Sequence, residues 1–270
     1  MSTATAYGQL VFDVSEPTWL AVQVAVARRT GLDISDRFEA LNNGVPLTTQ
    51  ELTGPHQGRQ HLLHADPGPL LVTYETAVTR NAPATVEPVT PEQRIAALLP
   101  SRYCPADRMA GFARSHFGRL PNELERVRAI CTYAWEHLRY QADTSGPATD
   151  AVDTLLAGHG VCRDFAHLVA ALCRAVDVPT RIAAVYAPGL SPMDFHVVAE
   201  TAINGNWYAW DATRSAPRTS MIRIATGRDA ADVAFISLLG GQAELTGMQI
   251  TVASPDDLPL DAHEELVVLG

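Results

Sequence analysis

The stretch that most restricts how this chain can fold runs from Ala157 to Pro179, AGHGVCRDFAHLVAALCRAVDVP. Gly158 and Gly160 break whatever element precedes them. Cys162 then opens a run in which Phe165, Leu168, Val169, Leu172, Cys173 and Val176 recur at helical spacing. The run stops at Val178-Pro179, because proline disfavours helix in the residue before it. A buried helix is therefore expected, with Cys162 in its first turn. Free backbone N–H groups and the helix dipole favour negative charge there, so a thiolate is expected to be stabilised. A nucleophile of this kind needs a base.

The surrounding chain divides by its punctuation. Residues 1–80 read as a β-rich N-terminal domain, with strands in Thr18–Val26 and Pro69–Val78 and a tight turn at Asn43-Gly44. His56, His61 and His64 fall in a Gly/Gln-rich stretch and read as solvated loop residues more readily than as a metal site. Residues 81–92, rich in proline, form a linker. A second domain spans 93–253, opening with a helical stripe over Pro121–Gln141 that takes in Cys131 as a core thiol. After Pro179 the period shifts to alternation in RIAAVYAP, DFHVVAETAI, WYAWDATR and MIRIAT, then a short helical RDAADVAF and a strand MQITV. Helices followed by antiparallel strands make an α+β domain and not a wound parallel sheet. Residues 254–270 are an acidic C-terminal tail, expected to be a solvated terminus.

The strand pattern supplies the base. Asn204-Gly205 is a favoured two-residue hairpin turn, since both central positions need positive φ. Ile203 then pairs with Asn206, Asp211 falls opposite Val198, and His196 shares a face with Val198. Asp211 and His196 become diagonal neighbours. A thiol, an imidazole to take its proton and a carboxylate to orient the imidazole emerge from separate local readings. Spacing alone leaves a core thiol, a packed histidine and a turn-capping aspartate as the alternatives. A zinc site from His159, Cys162, His167 and Cys173 is set aside, because Cys162 and Cys173 are roughly 16 Å apart along a helix.

GVCRDFAHLVAALCRAVDVPTR, MDFHVVAE and WYAWDATR resemble, in order and spacing, the bacterial transglutaminase-like superfamily of cysteine peptidases. The resemblance implies a papain-like α+β core behind a small β-rich N-terminal domain. It matches Cys162 to the nucleophile, His196 to the general base and Asp211 to the third member of a triad. Ala212 stands where such proteins usually carry proline. Arg163, Asp164 and Asp194 belong to the matched motifs as well. The activity so implied is hydrolysis of a peptide or protein amide through a thioester. Amine-accepting acyl transfer of the transglutaminase type and a non-catalytic scaffold are the alternatives. No cofactor or metal is expected, and no acidic loop is spaced like a calcium site.

Composition adds exclusions. A formal charge of −10 argues against nucleic acid or an anionic membrane as partner. No apolar run nears bilayer length, and the start shows no basic segment leading an apolar one. With four cysteines lacking paired spacing, a reducing cytoplasm is the expected compartment. The chain contains no lysine, so no lysine amine of its own can accept an acyl group.

Overall fold

The computed structural model describes residues 2–54, 57–254 and 257–270; His56 and Asp256 lie outside the described residues. The first part of the chain supplies β1 (Ser2–Glu16), β2 (Thr18–Ala25), β3 (Leu32–Asn42), β4 (Val45–Pro46), β5 (Gln50–Thr53), β6 (Arg59–Ala65) and β7 (Gly68–Arg80). Helices α1 (Pro91–Ala96), α2 (Ala106–Phe117) and α3 (Glu123–His137) follow, then β8 (Arg139–Tyr140), α4 (Ala151–Ala157), β9 (His159–Gly160) and α5 (Cys162–Ala175). Next come β10 (Thr180–Tyr186), β11 (His196–Ile203), β12 (Asn206–Trp210), β13 (Ile222–Gly227), α6 (Ala230–Val233), β14 (Ile236–Leu238) and β15 (Gln242–Ala253).

Two antiparallel sheets, in the orders β15-β1-β7-β3-β4 and β14-β2-β6-β5, are built mainly from the first part of the chain. Along β1, Ala6, Leu10, Phe12 and Val14 turn inward at alternate positions, and they share an apolar core with Leu20 and Val22 of β2. A third sheet, β12-β11-β10-β13, carries α5 on its face. The α+β architecture expected from the order of helical and alternating segments is what the chain adopts.

The helix that begins at Cys162 is the centre of the second half. Every residue from Asp164 to Ala175 is buried, and α5 packs against α2, α3 and α4 as well as β10 and β11. An all-round buried helix is expected of a sequence apolar beyond one stripe. Truncating a fully buried side chain such as Leu168 or Leu172 to alanine should cost about 2–5 kcal/mol.

Three expectations are corrected. The strand MQITV does not stay with the second part of the chain: β15 pairs along β1, with Ile250 opposite Gly8, while β14 pairs with β2. The chain thus returns to complete both early sheets. The tail is not a free terminus either. Asp261 accepts from the guanidinium of Arg218 at 2.7 Å, and Arg218 is fully buried. Val267 accepts from the Ala209 N–H at 2.8 Å, and Leu269 is buried, so the last residues cover the edge of β12. Finally, His61 and His64 are strand residues of β6. His61 is buried against Phe38 with ring centroids 3.9 Å apart, and burial pushes its pKa down to about 4.

The proline-rich connector is held as firmly. Glu87 pairs with Arg181 at 3.0 Å and Arg223 at 2.9 Å, and both arginines also pair with the buried Glu200. Burial opposes charge on Glu87, but the two guanidiniums outweigh it and hold the carboxyl down at about 2.

Candidate active site

The chain places Cys162 by fixing the turn in front of it. Asp164, almost fully buried, accepts from the Val161 N–H at 2.8 Å and from the Ser145 hydroxyl at 2.9 Å. This carboxylate satisfies an orphan donor at the helix start. Gly160 makes the approach possible: a Cβ there would lie 2.6 Å from the Asp164 Cβ. Arg163 closes the arrangement by donating to Ser145, to the Gly146 carbonyl at 2.9 Å and to Asp164. The pair Arg163-Asp164 therefore locks the entry to α5.

His196 opens β11, and Asp211 directly follows β12. The turn between them is the one expected: Asn204 and Gly205 both have positive φ, and Ile203 pairs with Asn206. With that register, His196 Nε2 and Asp211 Oδ2 lie 2.9 Å apart, both side chains buried. The second oxygen, Oδ1, accepts from the Thr213 N–H at 2.9 Å and the Thr213 hydroxyl at 2.7 Å. A carboxylate fully occupied this way cannot swing, so it fixes the imidazole ring plane and leaves Nδ1 for another partner.

The electrostatics follow from these contacts. Burial is the largest influence on His196 and disfavours its charged form. The Asp211 charge and hydrogen bond, with a smaller part from the adjacent Cys162 thiol, outweigh it and raise the imidazole to about 10. Burial likewise opposes ionisation of Asp211, but His196 and the Thr213 donors hold it below the usual carboxylate range.

Cys162 and His196 line one open cavity of about 640 Å³. Cys162 is half-buried at its edge, whereas Cys104 and Cys173 are fully buried, each thiol pushed up to about 12 by burial. Cys131 sits on α3, as the stripe implied. Asp194 also lines the cavity and accepts from the Phe195 N–H at 2.7 Å. His159 lies on β9. His167 is buried in α5 and accepts from the Ala230 N–H at 3.1 Å, away from Cys173 at the far end of the helix.

Tyr140 stands next to the start of α5. The parallel pairing of β8 with β9 sets it opposite Gly160, two residues before Cys162. Its ring stands 6.1 Å from Phe165, and burial, with the neighbouring Cys162, raises its phenol to about 12. The two-residue strands that carry it leave too short a pattern to read in advance. Gln23, Phe235, Leu238 and Met248 also line the cavity. They come from segments whose sequence gives no hint of proximity to Cys162.

A family model described as the transglutaminase-like superfamily matches residues 110–212, the span holding Cys162, His196 and Asp211. An uncharacterised protein of Mycobacterium leprae is 29% identical over 166 residues, which is 57% of this chain and 58% of that protein. Among solved structures, "a Putative Cysteine Protease" from Cytophaga hutchinsonii superimposes with a TM-score of 0.88 and 31% identity, over 98% of this chain and 96% of that one. The periplasmic domain of TgpA from Pseudomonas aeruginosa is 17% identical, covers 78% of this chain and 88% of that one, and reaches a TM-score of 0.43. Likeness over nearly the whole of both chains at 31% identity, with the family model across the core, makes this protein a member of the transglutaminase-like superfamily.

Proposed function

We propose that the protein is a cysteine-dependent amide hydrolase acting on peptides or proteins, with Cys162 as nucleophile, His196 as base and Asp211 as its orienter. Its superfamily supports the general class of cysteine-dependent hydrolases and transferases. The observation that carries the finer reading is the buried His196–Asp211 bond at 2.9 Å beside a half-buried cysteine at a helix start.

The chemistry proceeds as follows. Asp211 holds the Nε2–H of His196, so Nδ1 accepts the Cys162 proton and the resulting imidazolium is stabilised by the buried carboxylate. The Cys162 sulfur attacks the substrate carbonyl carbon. The developing oxyanion meets the backbone N–H of Cys162 at the helix start, displacing the Tyr140 hydroxyl that this N–H faces. The C–N bond breaks as Nδ1 returns its proton to the leaving amine, giving a thioester. Water then loses a proton to Nδ1, adds to the thioester carbonyl, and the thiolate departs. None of these steps calls for a metal or cofactor.

The four unpaired cysteines support work in a reducing compartment, the cytoplasm. Among the described residues no helix is long and apolar enough to cross a membrane. The functional division we infer is an N-terminal module of residues 1–80 tied by residues 81–92 to the unit bearing the triad, with strands from beyond residue 235 rejoining the first module.

The test is acyl trapping. A p-nitrophenyl ester of a blocked peptide should acylate Cys162, seen as a mass increase on its tryptic peptide, and the adduct should decay in water alone. Cys162→Ala should form no adduct. An adduct that decays only when a primary amine is added would overturn hydrolysis in favour of acyl transfer. No adduct at all would return the protein to a binding role.

A further inference from the structure

The cavity beside Cys162 is lined by polar and apolar side chains. Arg102, Arg163 and Asp194 are among the polar ones. Among the apolar ones, Phe195 and Phe235 stack with ring centroids 5.2 Å apart and planes 17° from parallel. Val197 and Ile224 also line it, as do Leu238 and Met248, each 42% exposed. Leu238 and Met248 belong to β14 and β15, strands of the two early sheets. Two large apolar side chains half-exposed at the mouth of a nucleophile's cavity lose stability in the free protein and gain it back when apolar surface covers them.

The backbone of β14 points the same way. Gln23 N–H donates to the Phe235 carbonyl at 2.9 Å, and Leu239 N–H to the Trp19 carbonyl at 2.8 Å. In an antiparallel ladder these are hydrogen-bonded positions, so residues 235, 237 and 239 direct their N–H and C=O groups to β2. Ile236 and Leu238, at the intervening positions, direct theirs outward. That outer side is the edge of the sheet β14-β2-β6-β5.

Resting on the hydrolase reading above, we propose that the substrate is an extended peptide which adds to the open edge of β14 and places a large apolar side chain, leucine-like or aromatic, against Phe195, Phe235, Leu238 and Met248. The side chain belongs to the acyl half. That half stays bound through the thioester until water arrives, so binding energy spent on it serves both chemical steps. Strand addition supplies register through main-chain hydrogen bonds, and the apolar pocket supplies selectivity. The N-terminal module is then part of the substrate site and not a spacer.

Peptidyl chloromethyl ketones that differ only in the residue bearing the ketone (Gly, Asp, Arg, Leu or Phe) test this on the full chain. Alkylation of Cys162 is followed by peptide mass mapping. The Leu and Phe reagents should react at least tenfold faster than the Gly and Asp reagents. Methylating the amide nitrogens of the Phe reagent one at a time should slow it at alternate positions, as strand pairing requires. In the double variant Leu238→Ser, Met248→Ser the Phe-to-Gly ratio should fall to within about twofold of one. Because the ratio is read within one variant, a general loss of reactivity cancels from it. Iodoacetamide, which carries no peptide, separates the two levels. If it fails to label Cys162, the nucleophile reading falls and this inference with it. If it labels Cys162 while the Gly and Phe reagents react at one rate, the substrate inference alone is overturned.

Discussion

His167 and His196 are equally buried, at 0% and 1% exposure, yet their imidazoles are driven in opposite directions. His167 sits inside α5, stacked on Tyr103 with ring centroids 5.2 Å apart. Its Nε2 accepts a backbone N–H, which requires that nitrogen to be unprotonated. Burial therefore wins, and its pKa falls to about 3. His196 pays the same desolvation but faces Asp211, and its pKa rises to about 10. Burial alone makes a structural histidine. Burial beside a carboxylate that is itself pinned makes a group able to hold a proton taken from a thiol.

The sharpest way to break this comparison is catalytic. His196→Gln should lower acyl-enzyme formation at Cys162 by roughly 10³–10⁴-fold, while His167→Gln leaves it within about threefold. Equal losses in stopped-flow measurements of the two variants would mean that both histidines act structurally. Asp211→Asn addresses the cause. Ring-proton NMR should show the His196 pKa moving from about 10 to below 6.5, toward the behaviour of His167, which titrates at about 3 in either protein. An unmoved His196 would assign its high pKa to something other than Asp211.

Stability gives the next contrast. Removing one partner of a buried pair, as in His196→Leu, should cost about 3–5 kcal/mol in urea melts near neutral pH, because Asp211 stays buried and unpaired. The pH dependence separates the histidines by sign. The folded pKa of His196 lies above its unfolded value of 6.5, so its stabilisation is complete below 6.5 and is lost as pH rises through about 10. The folded pKa of His167 lies below 6.5, so its contribution is present above 6.5 and declines as pH falls toward about 3. His167→Phe should therefore flatten the acid limb of stability against pH, and Asp211→Asn the alkaline limb. The smallest expected effect is that of Thr213→Val, about 1 kcal/mol, through loss of one hydroxyl donor to Asp211.

What was legible in the sequence was whatever short-range rules decide. The period of Phe165, Leu168, Val169 and Leu172 places α5, and Asn204-Gly205 sets the register that brings His196 to Asp211. A one-residue slip in that turn would have put the two on opposite faces. Nothing local says that β15 pairs with β1, since strand pairing across the whole chain depends on which edges remain open once nearer partners have met. The tail misled for a related reason. Its acidic composition suits water, yet Asp261 is drawn to Arg218, a guanidinium that the interior would otherwise hold uncompensated. The Leu238–Met248 wall of the cleft was invisible because its residues reach Cys162 only through those distant pairings.

The return of β15 to β1 also bears on how the molecule is made. As the chain leaves the ribosome, β1 meets β7 early, and one of its edges stays bare until residues 242–253 have been synthesised. A bare fifteen-residue strand edge invites pairing with other chains during that interval. Late in that interval, once residue 211 has been added, Cys162, His196 and Asp211 exist while Leu238 and Met248 do not. A nascent chain thus carries the proposed nucleophile before it has the residues proposed to choose a peptide for it.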